Sequence, residues 1–325
     1  MPFRTVLPAA MAMMLMMPGC TSPGVQHSGF PSSSATAAAT EPGVILRDEP
    51  IPGIRLPEDA LLLQVHFAGP VVFVSYSIAP HVHHAVFDAS SGKELELSDR
   101  IKGWEHIGDS WFRVTEDPGT EVLYHSGSSG LTRVRELPGD LFAVSATAHH
   151  VAVLEYTGTL TVYEASEDAL TPSYSTSMKL ARGEFTGPTM TWVTPHEILA
   201  LTPIRAINKT VLFTKDLELI DTINGKIHTN NTGLAHGVLP LSNERGDRHE
   251  LVALDASGRE LGRTPIPGSV HYVSMPSPDQ TRAILTTPGL LKGERHGIIT
   301  VEVRGGVPVI STAPPLRDRP VGWRP

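Results

Sequence analysis

From Leu61 onward the apolar residues fall in short runs rich in Val, Leu, Ile, Phe and Tyr, and no long stretch carries a helical period. Runs of this kind, bounded by Gly, Pro, Asp and Ser, predict an all-β domain. Leu61–Phe67 and Val71–Ser77, split by Gly69-Pro70, are the first two strands expected. No Asp, Glu, Lys or Arg occurs from Leu61 to Phe87, yet Pro70, Pro80 and the polar side chains among them favour two buried strands over a membrane span.

One pattern then recurs: a β-rich run, a short turn holding Asp, Ser or Gly, and a second β-rich run. Ala85–Leu95 is the clearest copy, and Leu251–Leu261 repeats its Asp-Ala-Ser-Gly turn almost residue for residue. Weaker copies are Val122–Leu137, Val151–Ala165, Val211–Ile223 and Ile298–Ser311. Asp and Gly suit these turns because they bond their own backbone or tolerate positive φ. Six hairpins between Leu61 and Pro325 set a unit of about 44 residues, the size of a four-stranded propeller blade. The fold expected is a β-propeller of about six four-stranded blades; seven blades, or stacked β-sandwich domains, are the alternatives.

Met275–Leu285 contains Ser277-Pro278-Asp279-Gln280, which resembles the Ser-Pro-Asp-Gly turn of TolB-like and WD-repeat-like propellers, with Gln280 where glycine is usual. Ile299–Pro308 resembles the end of such a blade, and Pro320–Pro325 is similar to the start of the next. A ring of blades leaves two edges unless one terminal strand completes the blade begun at the other end, and Val321 and Trp323 are expected to share one face of that strand.

The chain before the domain has a different character. Six of the nine methionines lie in the first seventeen residues, in an apolar run after Arg4 that ends at Pro18-Gly19-Cys20. A basic start and an apolar core of about a dozen residues have the dimensions of a secretory signal, too short for a spanning helix. Cys20, the only cysteine, stands where cleavage would occur, and the site resembles the lipobox of bacterial lipoproteins. That resemblance implies acylation of Cys20, a lipid anchor, and an extracytoplasmic location in the cell envelope. Between Thr21 and Thr40, sixteen of twenty residues are Ser, Thr, Ala, Pro or Gly, and none is charged. Such a segment cannot bury enough apolar surface to fold. The organisation expected is a signal peptide over 1–20, a disordered tether over 21–57 and the propeller over 58–325.

Composition narrows the function only a little. The formal net charge of −8 offers no basic footprint for nucleic acid. No nucleophile elbow, P-loop, His-Glu-x-x-His or Cys pair is present, and no cofactor is called for. His81, His83 and His84 are the candidate metal ligands, because His81 and His83 share a strand face and two imidazoles can begin a site. His149 and His150 precede an apolar run, so one of the two rings is expected to face inward. Glu105, His106 and Asp109 flank Trp104 and Trp111 as a candidate polar rim for acid–base work. Gly127–Gly130 reads as a hairpin loop, and the tryptophans as packing residues. No residue is assigned a catalytic role. The expected function is a surface-anchored, non-catalytic binding or scaffold module that shows propeller loops to a protein or glycan partner. The alternative is an extracytoplasmic hydrolase, lyase or lactonase whose site lies at the channel mouth, built from His, Asp or Glu of several blades.

Overall fold

The structure is a computed structural model, and it describes residues 43–139, 141–178, 188–203, 208–227, 234–243, 248–266, 272–287, 295–312, 316 and 318–324. Strand β1 (Val44–Leu46) comes first. Strands β2 (Leu61–Ala68), β3 (Val71–Ile78) and β4 (His81–Asp88) then form a three-stranded meander. Five four-stranded meanders follow. They are β5 (Ile101–Gly108), β6 (Trp111–Glu116), β7 (Thr120–Gly127) and β8 (Gly130–Glu136), then β9 (Leu141–Ala146), β10 (His150–Glu155), β11 (Thr159–Ala165) and β12 (Leu170–Ser177). The next comprises β13 (Thr189–Val193), β14 (Ile198–Thr202), β15 (Lys209–Phe213) and β16 (Leu219–Asn224). After it come β17 (Lys226–Ile227), β18 (Val238–Ser242), β19 (His249–Leu254) and β20 (Glu260–Pro265). The last is β21 (Tyr272–Pro276), β22 (Arg282–Thr287), β23 (Arg295–Arg304) and β24 (Val307–Thr312). Finally β25 (Pro320–Trp323) pairs antiparallel with β1 in a two-stranded sheet.

The core shows how these seven sheets are arranged. Apolar side chains are shared between each sheet and the next: Phe73 with Phe112, Trp111 with Val153, Leu154 with Leu199, Leu212 with Val252, and Leu251 with Ile299. The sixth meander packs on the terminal sheet through Ile284 and Trp323. The terminal sheet packs in turn on the first meander through Val321 and Val65. Seven interfaces therefore close a ring, and the fold is a β-propeller. Second strands such as β14 are buried along their whole length because both faces meet a neighbouring sheet, while the outermost β12 is largely exposed. First strands lie innermost, where β25 approaches β2, β5 approaches β9, and β9 approaches β13.

Five of the six hairpins expected from the sequence are present. Val122–Leu137, Val211–Ile223, Leu251–Leu261 and Ile298–Ser311 join third to fourth strands, and Val151–Ala165 joins β10 to β11. Asp255 builds its turn as predicted, accepting from Ser257 N and Oγ and from Arg259 N. Asp88 does the same for Ser90 and Ser91, and these bonds hold its carboxyl down at about 2. Its hairpin is stunted, however. The returning chain reaches only a bridge from Glu94 to Phe87 before the 3-10 turn Glu96–Asp99, so the first sheet keeps three strands. The ring thus has six sheets along 61–312 and a seventh made by the two ends of the domain.

Two features differ from expectation. The tether expected over 21–57 stops short, because Val44, Ile45 and Leu46 are buried as β1, and Ile51 and Ile54 join the core of the first sheet. Cys20 and residues 1–42 lie outside the described residues. Val321 and Trp323 do not share a face. A bulge opposite Leu46 shifts the register, so Val321 packs with Ile45 toward β2–β4 and Trp323 packs with Val44 and Leu46 toward β21–β24.

Candidate functional site

The turns joining first to second strands gather at one end of the ring. Five successive sheets contribute: Asp109 from β5–β6, Thr147 to His149 from β9–β10, Thr194, Pro195 and Glu197 from β13–β14, His236 from β17–β18, and Gln280 from β21–β22. They line a mouth of about 470 Å³. A second space of about 20 Å³, against Ser145, Thr191 and Trp192, shares Asp109, Thr194 and Gln280 with it.

The backbone of this mouth is unusual. Asp109 (φ 41°), Glu197 (φ 52°), His236 (φ 63°) and Gln280 (φ 57°) are left-handed, and Leu217 is the only other non-glycine residue so placed among the described residues. An L-residue there crowds its Cβ against its own carbonyl, at a cost of about 1–2 kcal/mol, which glycine avoids. Gly69 (φ 55°) shows the ordinary solution in the β2–β3 turn. Four turns thus carry a polar side chain where glycine would be easier to accommodate, and all four open on the same space.

Local bonds fix these turns. Ser277 Oγ donates to Asp279 Oδ1 at 2.5 Å and accepts from Arg282 N at 3.0 Å, while Asp279 Oδ1 accepts from Thr281 N at 3.1 Å. The first of these bonds is the main reason the Asp279 carboxyl lies below the usual range. Gln280 Oε1 accepts from Thr194 Oγ1 at 2.8 Å, which links the sixth and fourth sheets across the mouth. Glu197 Oε1 stands 3.4 Å from His150 Nδ1, and the His150 ring tilts against Trp192. Gly108 allows the β5–β6 turn to sit against β9, since a Cβ there would lie 1.9 Å from Ala146 O.

Below the Asp109 turn, His66 of β2 and His106 of β5 stack with ring centroids 4.0 Å apart. His106 Nε2 donates to Asp109 O at 2.5 Å. Burial and then the His106 charge push His66 well below the usual imidazole value, and burial also lowers His106.

The candidates named from the sequence divide between the mouth and the periphery. Asp109 and His149 are at the mouth, with His106 beneath and His150 half-buried as expected of one ring of that pair. Glu105 turns away toward Arg113, at 3.7 Å. Gly127 and Gly130 are the hairpin ends of β7 and β8, and Trp111, Trp192 and Trp323 are buried. His81, His83 and His84 lie far out on β4, the outermost strand of the first sheet. His83 stacks on Tyr76, and His84 Nδ1 shares a 2.9 Å hydrogen bond with Ser75 Oγ from the opposite face. Burial lowers the His84 imidazole, as does the nearby His83. Among the described residues no three His, Cys, Asp or Glu side chains are grouped to hold a metal, so His81 and His83 gain no third ligand. Glu197 and His236 were not singled out from the sequence. The only signal for their kind of position was Gln280 in the glycine slot of its turn.

The mouth therefore combines two carboxylates, two imidazoles, hydroxyls and an amide, a set suited to binding hydroxyl-rich or cationic groups and to moving protons. Comparison with known proteins finds structures that are similar at low identity. No family model matches the chain, and no curated protein matches it. Among solved structures it is similar to a putative 6-phosphogluconolactonase from Bacteroides fragilis, with 13% identity, a TM-score of 0.49, and coverage of 81% of this chain and 85% of that one. It is similar to a chain of the mitotic checkpoint complex at 15% identity and a TM-score of 0.49, covering 96% and 90%. It is also similar to BamB from Moraxella catarrhalis at 14% identity and a TM-score of 0.43, covering 78% and 76%.

Proposed function

We propose that this protein is a lipoprotein of the bacterial cell envelope, held by acylated Cys20, whose propeller is a non-catalytic binding module for a protein or glycan partner. The observation that supports binding is the convergence of Asp109, His149, Glu197, His236 and Gln280 at one mouth, four of them in a backbone conformation that favours glycine. Residues held in such conformations cluster at active sites and ligand clamps. The mouth is large enough to take one sugar ring or a projecting side chain.

The binding test uses full-length protein in detergent against a panel of soluble glycans, including peptidoglycan fragments, and envelope-derived peptides. At least one probe is expected to bind saturably, and Asp109→Ala with Glu197→Ala should weaken it at least tenfold without changing the melting temperature. Binding unaffected by both substitutions, or no binding by any probe, rejects the mouth as the site. The anchor has its own test. Cys20→Ser should move the protein from the detergent-soluble membrane fraction to the soluble fraction, and an unchanged distribution with no acyl mass on the wild type rejects the lipoprotein reading.

A second reading, a hydrolase, lyase or lactonase, gains from the same convergence, because acid–base work at a channel mouth needs carboxylates and imidazoles from several blades. Turnover of sugar lactones or of a panel glycan, lost in Glu197→Gln, would put this reading first.

A further inference from the structure

We infer that the stacked pair His66–His106 is a proton-operated switch that positions the Asp109 turn and thereby regulates what the mouth holds. This rests on the mouth being the binding site. The pair joins two innermost strands of adjacent sheets, and one ring is hydrogen-bonded to the backbone of a mouth residue. Because a carbonyl only accepts, His106 Nε2 carries a hydrogen, and Nδ1 is the atom that takes up an added proton.

Few other groups can absorb charge here. β3 faces the pair with Phe73, opposite His66, and β6 with Phe112, opposite His106. The Phe112 ring lies 5.3 Å from the His66 ring and 5.4 Å from the His106 ring. Arg113 alternates to the far side, where it holds Glu121 at 2.6 Å and Glu105 at 3.7 Å. On β25's side, Arg324 is tied to Glu49 at 3.0 Å, and Tyr76 of β3 stacks on His83. Among the described residues, the Asp109 carboxylate is the anion acting on His106.

Two protonation steps therefore differ in consequence. The first places a cation over a neutral ring and strengthens the Nε2–H bond to Asp109 O. The second places two cations face to face at 4.0 Å on an aromatic floor, and their repulsion opens the stack. His106 then withdraws from the Asp109 carbonyl, and the turn loses the bond that holds its left-handed residue. Burial puts both steps below the usual imidazole value near 6.5, and repulsion from His106 lowers the second, at His66, further. The bound state of the turn is thus complete at neutral pH and lost as the surroundings acidify.

The experiment follows the imidazole nitrogens of His66 and His106 and the amide of Asp109 by NMR in full-length wild type, from pH 8 to pH 4.5. The Asp109 amide is expected to shift with the second imidazole transition. In His66→Phe the ring stack persists without the second charge, so the Asp109 shift that accompanies the second transition should disappear. His66→Gln repeats the test should the first variant fold poorly. An Asp109 amide that stays still while both imidazoles titrate in wild type, or that shifts equally in the variants, overturns the switch. No ligand enters this measurement, so it fails separately from the mouth reading. A panel probe that binds at pH 7.5 adds the functional arm: at least tenfold weaker binding below the second imidazole transition in wild type and less than twofold at the same pH in His66→Phe.

Discussion

A chain ending at Arg319 is expected to melt about 10 °C or more below the full-length protein, or to lose cooperative melting altogether, because β25 is the inner strand of the sheet that closes the ring. The strand is four residues long, yet all four are buried. Val321 fills the interface with β2–β4 and Trp323 the interface with β21–β24, where Arg282 lies over its ring at 4.9 Å. Burying two such side chains contributes roughly 3–5 kcal/mol. Removing them also strips cover from Val44, Ile45 and Leu46 and leaves their ladder groups unpaired. Gly322→Ala tests the same joint with the chain intact. Its Cβ would stand 2.3 Å from Val65 O, a backbone atom of β2 that cannot move alone. Thermal melts followed by circular dichroism decide the matter, and an unaltered melting temperature in both proteins would mean that β1–β25 does not close the ring.

How much of this was readable beforehand depends on how local each feature is. Asp255, Asp88 and Gly127–Gly130 announce turns whose bonds run to residues two to four positions away, and all three turns are where the sequence places them, although the strand after the Asp88 turn shrinks to a single bridge. β1 and β25 are short, lie at opposite ends of the domain, and owe their structure to each other. Val44–Leu46 sits among prolines and glycines that read as tether, and only its pairing with Pro320–Trp323 makes it a strand. The bulge that separates Val321 from Trp323 is likewise invisible to a two-residue alternation.

The site was less legible for a related reason. His81–His84 stood out because the histidines are dense along the chain, whereas the mouth is assembled from single residues about forty positions apart. Asp109 and His149 lie beside a tryptophan and an apolar run, but nothing in their spacing joins them to Glu197 or His236. What they share is the place of each turn on the ring, which follows from the repeat. An aligned repeat would ask which residue stands in each glycine slot, and Gln280 was the one slot identified.

That reasoning leads to the second large effect, expected in Asp109→Gly, Glu197→Gly, His236→Gly, Gln280→Gly combined. Each glycine relieves a left-handed Cβ at a cost of about 1–2 kcal/mol, and returns part of that gain through the greater freedom of the unfolded chain. The Gln280 replacement also gives up the bond to Thr194 Oγ1, worth about 1 kcal/mol. The net expectation is a protein stabilised by about 1–3 kcal/mol that has lost its mouth side chains. If these residues serve a ligand, every panel probe bound by wild type should bind at least a hundredfold more weakly while the melting temperature rises. The two readouts move in opposite directions because strain and ligand contact reside in the same four side chains. A variant that melts lower would show that the side chains hold the turns together, and a variant that binds normally would show that the ligand lies elsewhere on the ring. Single glycine variants then apportion the effect, with Glu197→Gly expected to gain the most stability, since glutamate lacks the local backbone bonding that eases aspartate into this conformation.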